Sequence, residues 1–266
     1  MKNFFFLFIV LIIHQITIAQ SGNVGIGTIT PAAKLDIIGT IKITDGSQGT
    51  DRVLTSDQNG KGTWKQIENL LPTGTDGDSL ASVWICCNPW MTKNLDVTTY
   101  RDGTPIPLVT DAVAWAALTT GAYCYYSNNS ANGTIYGKLY NGYAVKDPRG
   151  LAPVGFHIPS EIEWSTLTNC LGGKSIAGGA MKETGTAHWA NGNIGATDFS
   201  NLSALPGGYR GTQGGFNAIG QYGFWWSSTN VNTTNGFNRS LNSLDGSLTG
   251  ASASLKNGYS VRCVRD

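Results

Sequence analysis

The residues best placed for chemistry in this chain are His157 and the two carboxylates that follow it, Glu161 and Glu163. Imidazole titrates near neutral pH, so a His beside a Glu can form an acid–base couple. A catalytic site of that type also needs a nucleophile and an oxyanion donor, and neither can be placed around His157. A structural role accounts for the same residues. Ser160 with Glu163 three positions on is a capping box, which satisfies two orphan amides at the start of a helix. His188, beside Trp189 in a Gly- and Asn-rich loop, reads as a surface residue. The expectation is a protein that is not an enzyme and carries no cofactor.

Thiols are the second reactive type. The chain has five, Cys86, Cys87, Cys124, Cys170 and Cys263. Adjacent Cys86 and Cys87 do not easily bridge one another, so Cys87 is taken as the odd one. Cys86, Cys124, Cys170 and Cys263 are then disulfide candidates with three possible pairings. Neither a C-x-x-C spacing nor a cluster of His supports a metal site.

Binding chemistry is better supplied. Trp189, Tyr209, Tyr222, Trp225 and Trp226 fall in or near Gly- and Asn-rich stretches, with Arg210, Asn230 and Asn232 close by in sequence. Aromatic faces stack on the apolar side of a sugar ring, and amides or guanidinium groups take the hydroxyls. Such a pocket needs few charges. The competing role for every one of these rings is core, since a loop-rich domain fills its interior with large side chains. Trp225 and Trp226 are consecutive in a strand-like run, so they face opposite sides. One is expected in the core and the other beneath a loop or at the surface.

The elements that must hold these residues begin outside the cytosol. Lys2 and Asn3, an apolar run from Phe4 to Ile13, and small residues at Thr17 and Ala19 form a secretory leader cut after Ala19. The run is too short to cross a bilayer, which takes about 20 apolar residues, and no later stretch could span one. A secreted or cell-surface location permits disulfides. Only 13% of residues are charged and the net charge is +1, so nucleic acid and anionic membrane are excluded as electrostatic partners. With 35 Gly and 8 Trp, the composition fits a turn-rich fold braced by large rings.

Residues 20–66 alternate polar and apolar in short runs, such as Lys34-Leu35-Asp36-Ile37 and Ile41-Lys42-Ile43, between Gly and Asp turns. These are strand signals. A segment of about 40 residues buries little surface alone and this one has no Cys, so oligomerisation is expected. Residues 67–82 read as a linker and 83–266 as one unit. Within that unit Trp84–Cys86 and Tyr259–Val264 read as strands. Thr110 or Asp111 caps a short helix through Trp115 to Leu118, and the clearest helix covers 160–171. On it Trp164, Leu167 and Leu171 form one apolar face, and Gly172-Gly173 stops it.

Two resemblances sharpen this. Asn23-Val24-Gly25-Ile26-Gly27-Thr28 with Lys34-Leu35-Asp36-Ile37, and Val53-Leu54-Thr55-Ser56-Asp57 with Thr63-Trp64, resemble the repeat of trimeric fibre and tail-spike proteins. That implies a β-rich stalk, a homotrimer. Trp90-Met91-Thr92-Lys93-Asn94-Leu95, Gly155-Phe156-His157-Ile158-Pro159-Ser160, Leu205-Pro206-Gly207-Gly208-Tyr209-Arg210 and Ser260-Val261-Arg262-Cys263-Val264 resemble the Fibrobacter succinogenes major paralogous domain. Members often carry Cys-Pro where this chain has Ala152-Pro153, and Trp where it has Phe156. The same landmarks are similar to the formylglycine-generating-enzyme branch of the C-type-lectin-like fold. That implies a loop-rich α+β domain with few regular strands and two helices. The oxidase chemistry of that branch needs a cysteine pair in the C-terminal part, and after Cys170 only Cys263 remains. The resulting expectation is a short β-rich stalk before a loop-rich C-type-lectin-like α+β head, a non-catalytic module for adhesion or for recognising a glycan or a surface protein.

Overall fold

A computed structural model describes residues 22–50, 52–66, 81–86, 88–190 and 192–266. The leader, most of the linker and Cys87 lie outside the described residues. The chain divides into two compact units, Met1–Lys65 and Gln66–Asp266.

The first unit holds two small sheets. β1 (Val24–Ile26) pairs in parallel with β2 (Leu35–Ile37), and β3 (Arg52–Ser56) pairs with β4 (Gly62–Gln66). The alternation at Ile41–Ile43 does not become a strand, because alternation marks a face but provides no neighbour to complete a hydrogen-bonded ladder. None of the residues described in 22–65 is fully buried. Nine large apolar side chains stand exposed in it, among them Val24, Ile26, Leu35, Ile38 and Ile41.

The second unit is mixed and strand-rich, its strands short and joined by long loops. A four-stranded sheet runs in the order β5 (Ser82–Ile85), β6 (Asn88–Met91), β16 (Val264–Arg265), β9 (Phe156–His157). A five-stranded sheet is ordered β11 (Phe216–Asn217), β10 (Tyr209–Arg210), β15 (Gly258–Tyr259), β8 (Leu139–Asn141), β7 (Tyr123–Cys124). The longest strands, β12 (Tyr222–Asn230), β13 (Asn235–Asn242) and β14 (Thr249–Ser254), form an antiparallel meander. The single terminal strand expected over 259–264 is split. Tyr259 pairs with Tyr140 in the five-stranded sheet, whereas Val264 pairs with Trp90 and His157 in the four-stranded one. The chain changes sheets between them, and Trp225 bridges to Ser260 at the crossing.

Among the described residues five short α-helices, rather than two, fill the connections: α1 (Ala112–Ala117), α2 (Ser130–Tyr136), α3 (Gly142–Val145), α4 (Glu161–Cys170) and α5 (Ala177–Met181). Asp111 caps α1 by accepting from the Ala114 amide. On α4 both halves of the Ser160–Glu163 capping box form, and Trp164 and Leu167 turn inward. Gly172 and Gly173, each at φ 93°, end it in a conformation that favours glycine. The Cys86–Cys170 disulfide ties the C-terminal end of α4 to the turn between β5 and β6.

β12 runs between two cores. On one side Trp226 packs with Tyr100, Tyr140, Phe156, Tyr259 and Val261. On the other Trp225 joins Trp90, Trp164, Trp189 and Leu241. A smaller cluster lies around Trp115, with Cys124 and Leu139.

Candidate functional site

The ionisable groups singled out by the sequence are engaged in holding the fold. His157 Nδ1 lies 2.7 Å from Asp266 Oδ1 and its Nε2 lies 2.6 Å from Glu163 Oε1. Only the imidazolium can donate to both carboxylates. Burial opposes that charge, but the two carboxylates outweigh it and raise the His157 pKa. The other Glu163 oxygen accepts from the Ser160 amide and hydroxyl, each at 2.8 Å. Burial works to raise the Glu163 pKa, and these bonds with His157 bring it below the usual value. Glu161 points elsewhere and meets Arg239 at 2.7 Å. His188 is not a free surface residue: its Nδ1 contacts Glu183 at 2.8 Å and its ring meets the Tyr136 ring edge-on. Among the described residues no three or more His, Cys, Asp or Glu side chains are grouped to hold a metal.

Of the four disulfide candidates, Cys86 and Cys170 are bonded, and Cys124 and Cys263 are buried thiols. They cannot pair because they sit in different core clusters. Burial pushes each thiol pKa up to about 12, which suppresses the reactive thiolate. Ala152 shares the cluster of Cys263.

Most residues expected to touch a ligand are interior. Trp189, Trp225 and Trp226 are each 1% exposed. The alternation of β12 does send its two indoles to opposite faces, but both faces are core, so neither reaches the surface. Arg210 is wholly buried. Its guanidinium donates to the carbonyls of Gly214, Val109, Thr110 and Asp111 at 2.6–3.1 Å and lies 4.4 Å over the Trp115 ring. Tyr209 is half-buried, edge-on to Phe224 and Tyr259. Asn230 is exposed at the opposite end of β12 from Tyr222, so the two do not form one site. Trp84, not expected at a surface, is 73% exposed on the edge strand β5.

Tyr222 remains. It is exposed, and its ring stacks on Phe224 with centroids 5.7 Å apart and planes 16° apart. Phe224 stacks in turn on Tyr259 at 5.1 Å, and Tyr259 meets Trp226 at 4.6 Å. A column of rings therefore runs from the core to the surface and ends at Tyr222. Beside it an open groove of about 450 Å³ is lined by Ala190, Gln221, Tyr222, Ser243 and Leu244. The three loops that supply these residues are tied together by backbone bonds: Ala190 N to Gly220 O, Ser243 N to Gln221 O, and Ile194 N to Ser243 O. Lys182 anchors two of them from within. Its ammonium donates to the carbonyls of Ile194, Asn242 and Asp245 at 2.9–3.0 Å. Trp189 adds a second anchor to the loop that carries Ala190, donating from Nε1 to Ala204 O.

The remaining motif strings close the fold. Asn94 Oδ1 accepts from Trp225 Nε1 at 2.8 Å and from Arg262 Nε at 3.0 Å, while its amide donates to Tyr136 O. Arg262 also donates to Met91 O and Leu202 O. Gly208, at φ 63°, lies where a side chain would strike Asn217 O and the Tyr126 ring. A family comparison matches residues 83–265. The chain belongs to the Fibrobacter succinogenes major domain family. No curated protein and no solved structure matches it. In this Fibrobacter succinogenes major domain the quoted motifs build the interior. The groove residues Ala190, Gln221, Ser243 and Leu244 lie between the motif strings, on loops.

Proposed function

We propose that this protein is a secreted or cell-surface, non-catalytic recognition module, with a C-type-lectin-like head that takes a glycan or a surface protein at the Tyr222 groove. The observation that carries this reading is the contrast between the two kinds of site. The imidazoles of His157 and His188 are held by carboxylates, and the thiols of Cys124 and Cys263 are sealed in apolar surroundings. The groove, by contrast, is open, uncharged and built on loops already fixed by hydrogen bonds. Rigid sites lose little entropy on binding. Residues 1–19 read as a leader, and the Cys86–Cys170 disulfide suits an oxidising compartment. Among the described residues no helix is long and apolar enough to cross a membrane.

The N-terminal segment is read as a homotrimeric stalk. Its support is the set of exposed apolar side chains, with no fully buried residue among those described in 22–65, which self-association would cover. Joining several heads would raise the effective concentration of weak sites.

Two measurements test the reading. Full-length mature protein is applied to arrays of immobilised glycans and extracellular proteins, beside Tyr222→Ala. Retention that depends on Tyr222 supports it, and no retention on either array removes the recognition role. Sedimentation of the same chain at micromolar concentration tests the stalk, for which a monomer is the adverse result.

A further inference from the structure

We infer that the groove beside Tyr222 binds a neutral pyranose unit of a polysaccharide, stacked on the outward face of the tyrosine ring. This rests on the recognition reading above and names its ligand class. One face of the Tyr222 ring is covered by Phe224 at a 16° interplanar angle. The ring is thereby held flat and presents its other face outward. A pyranose offers one face of C–H bonds and an edge of hydroxyls, and this groove has the matching division. Tyr222 and Leu244, which is 66% exposed, supply apolar surface. Gln221, which is exposed, supplies polar atoms, and Ser243, which is largely buried, also lines the groove.

Charge decides between neutral and acidic sugars. None of the five lining residues is an Asp, Glu, Lys, Arg or His. Lys182, the cation that holds two of the groove's loops, is wholly buried with its three donors committed to carbonyls, so it cannot reach a carboxylate in the groove. The neighbouring Asp245 carboxylate is committed to Ser247 and Asn242. An acidic sugar would lose hydration here and gain no counter-charge. A protein loop would be expected to engage a larger, flatter surface than one groove of this size.

The test uses the full mature chain and a panel of immobilised polysaccharides. The neutral arm holds a glucan, a mannan, a galactan and a xylan, and the acidic arm holds polygalacturonate and alginate. Retention on at least one neutral polymer is expected, with salt having little effect. Calorimetry with an oligosaccharide cut from that polymer then compares variants. Tyr222→Phe should keep affinity within about threefold, because the ring face does the stacking. Tyr222→Ala should lose about tenfold or more, in the range of aromatic stacking on a ring. Unfolding curves keep the variants interpretable, since Tyr222 is at the surface and its removal should leave the fold intact. Retention only on acidic polymers overturns the ligand class and leaves the recognition reading standing. Neutral binding untouched by Tyr222→Ala overturns the site. Retention on proteins alone overturns the sugar, and silence toward proteins and polysaccharides together overturns both readings.

Discussion

Arg262 donates its Nε proton to Asn94 Oδ1 at 3.0 Å, across 168 positions of sequence. The pair joins the loop after β6 to the segment that passes from one sheet to the other. No carboxylate bonds to this guanidinium, and burial lowers its pKa to about 9. Of the five buried cations among the described residues, Lys138 and Arg239 meet Asp96 and Glu161, whereas Arg210, Arg262 and Lys182 are each solvated by backbone carbonyls rather than by an acid. Carbonyls fixed by other elements hold these charges, so each cation reports whether distant segments have come together. Low overall charge is compatible with ionic groups inside because the backbone takes the place of water.

Asn94→Ala should therefore cost more than an ordinary surface change. It strips the acceptor from Trp225 Nε1 and Arg262 Nε and the donor from Tyr136 O. Leaving a buried donor or acceptor unsatisfied costs about 1–3 kcal/mol, and more where the group is charged. Arg262→Met removes the charge as well and should cost less. Urea unfolding of both variants checks the order, and an Asn94→Ala loss below that of Arg262→Met would contradict it.

The clamp on His157 gives the head a pH signature. The His157 pKa is raised by Glu163 and Asp266. Its contribution is complete below the unfolded value near 6.5 and fades as pH rises through the folded pKa. Glu163 is shifted the opposite way, so its contribution is present above about 4.5 and fades as pH falls through its folded pKa. The latch is strongest where both are charged, between these two limits. His157 is 40% exposed at its side chain, so solvent screening holds the effect to about 1 kcal/mol or less. Thermal unfolding of the protein and of His157→Gln from pH 4 to 9 should show the two curves separated in mildly acidic buffer and converging toward pH 9. Separation that grows with pH would be the wrong sign.

Local signals in the sequence carried much of this architecture, and tertiary ones did not. The caps at Asp111 and Ser160 were legible because donor and acceptor lie within one turn. The alternation of β5 also contained the exposure of Trp84, since its neighbour Ile85 is buried. Trp225 and Trp226 misled because alternation specifies opposite faces without specifying that both are covered. Arg210 misled because the carbonyls that bind it come from about a hundred residues upstream. Tyr222 was named in the sequence with seven other residues. What separates it is the stack on Phe224 and the meeting of three loops, and neither has a local signature.

The thiols divide by packing. Cys86–Cys170 closes a separation of 84 residues, for which the chain-entropy estimate is about 4.5 kcal/mol. A Cys86→Ser/Cys170→Ser variant should lose about 2–5 kcal/mol, the span seen on removing native disulfides. In the native protein, peptides bearing Cys124 and Cys263 should stay unmodified by iodoacetamide and react fully after guanidinium unfolding. Rapid native labelling of either would mean that its cluster opens.

Lys182 is the sharpest test of how the groove is held. Its ammonium lies 5.3 Å over the Trp189 ring and joins Ile194 O to Asn242 O and Asp245 O. Lys182→Met keeps the length and apolar contact of the stem but leaves three carbonyls without this donor. A lost buried hydrogen-bond partner costs about 1–3 kcal/mol, and carbonyls tolerate the loss better than amides do. The global cost should therefore be modest, and the local one should be concentrated in the two loops that Lys182 spans. Hydrogen exchange should quicken at the amides of Ile194 and Ser243, and in the turn around Asp245, before it changes in β12 or β13. Ligand affinity should fall with it, although Lys182 is buried away from the groove. Uniform acceleration across the meander would mean that the cation supports the whole sheet, and no acceleration at Ile194 would mean that the loops are held without it.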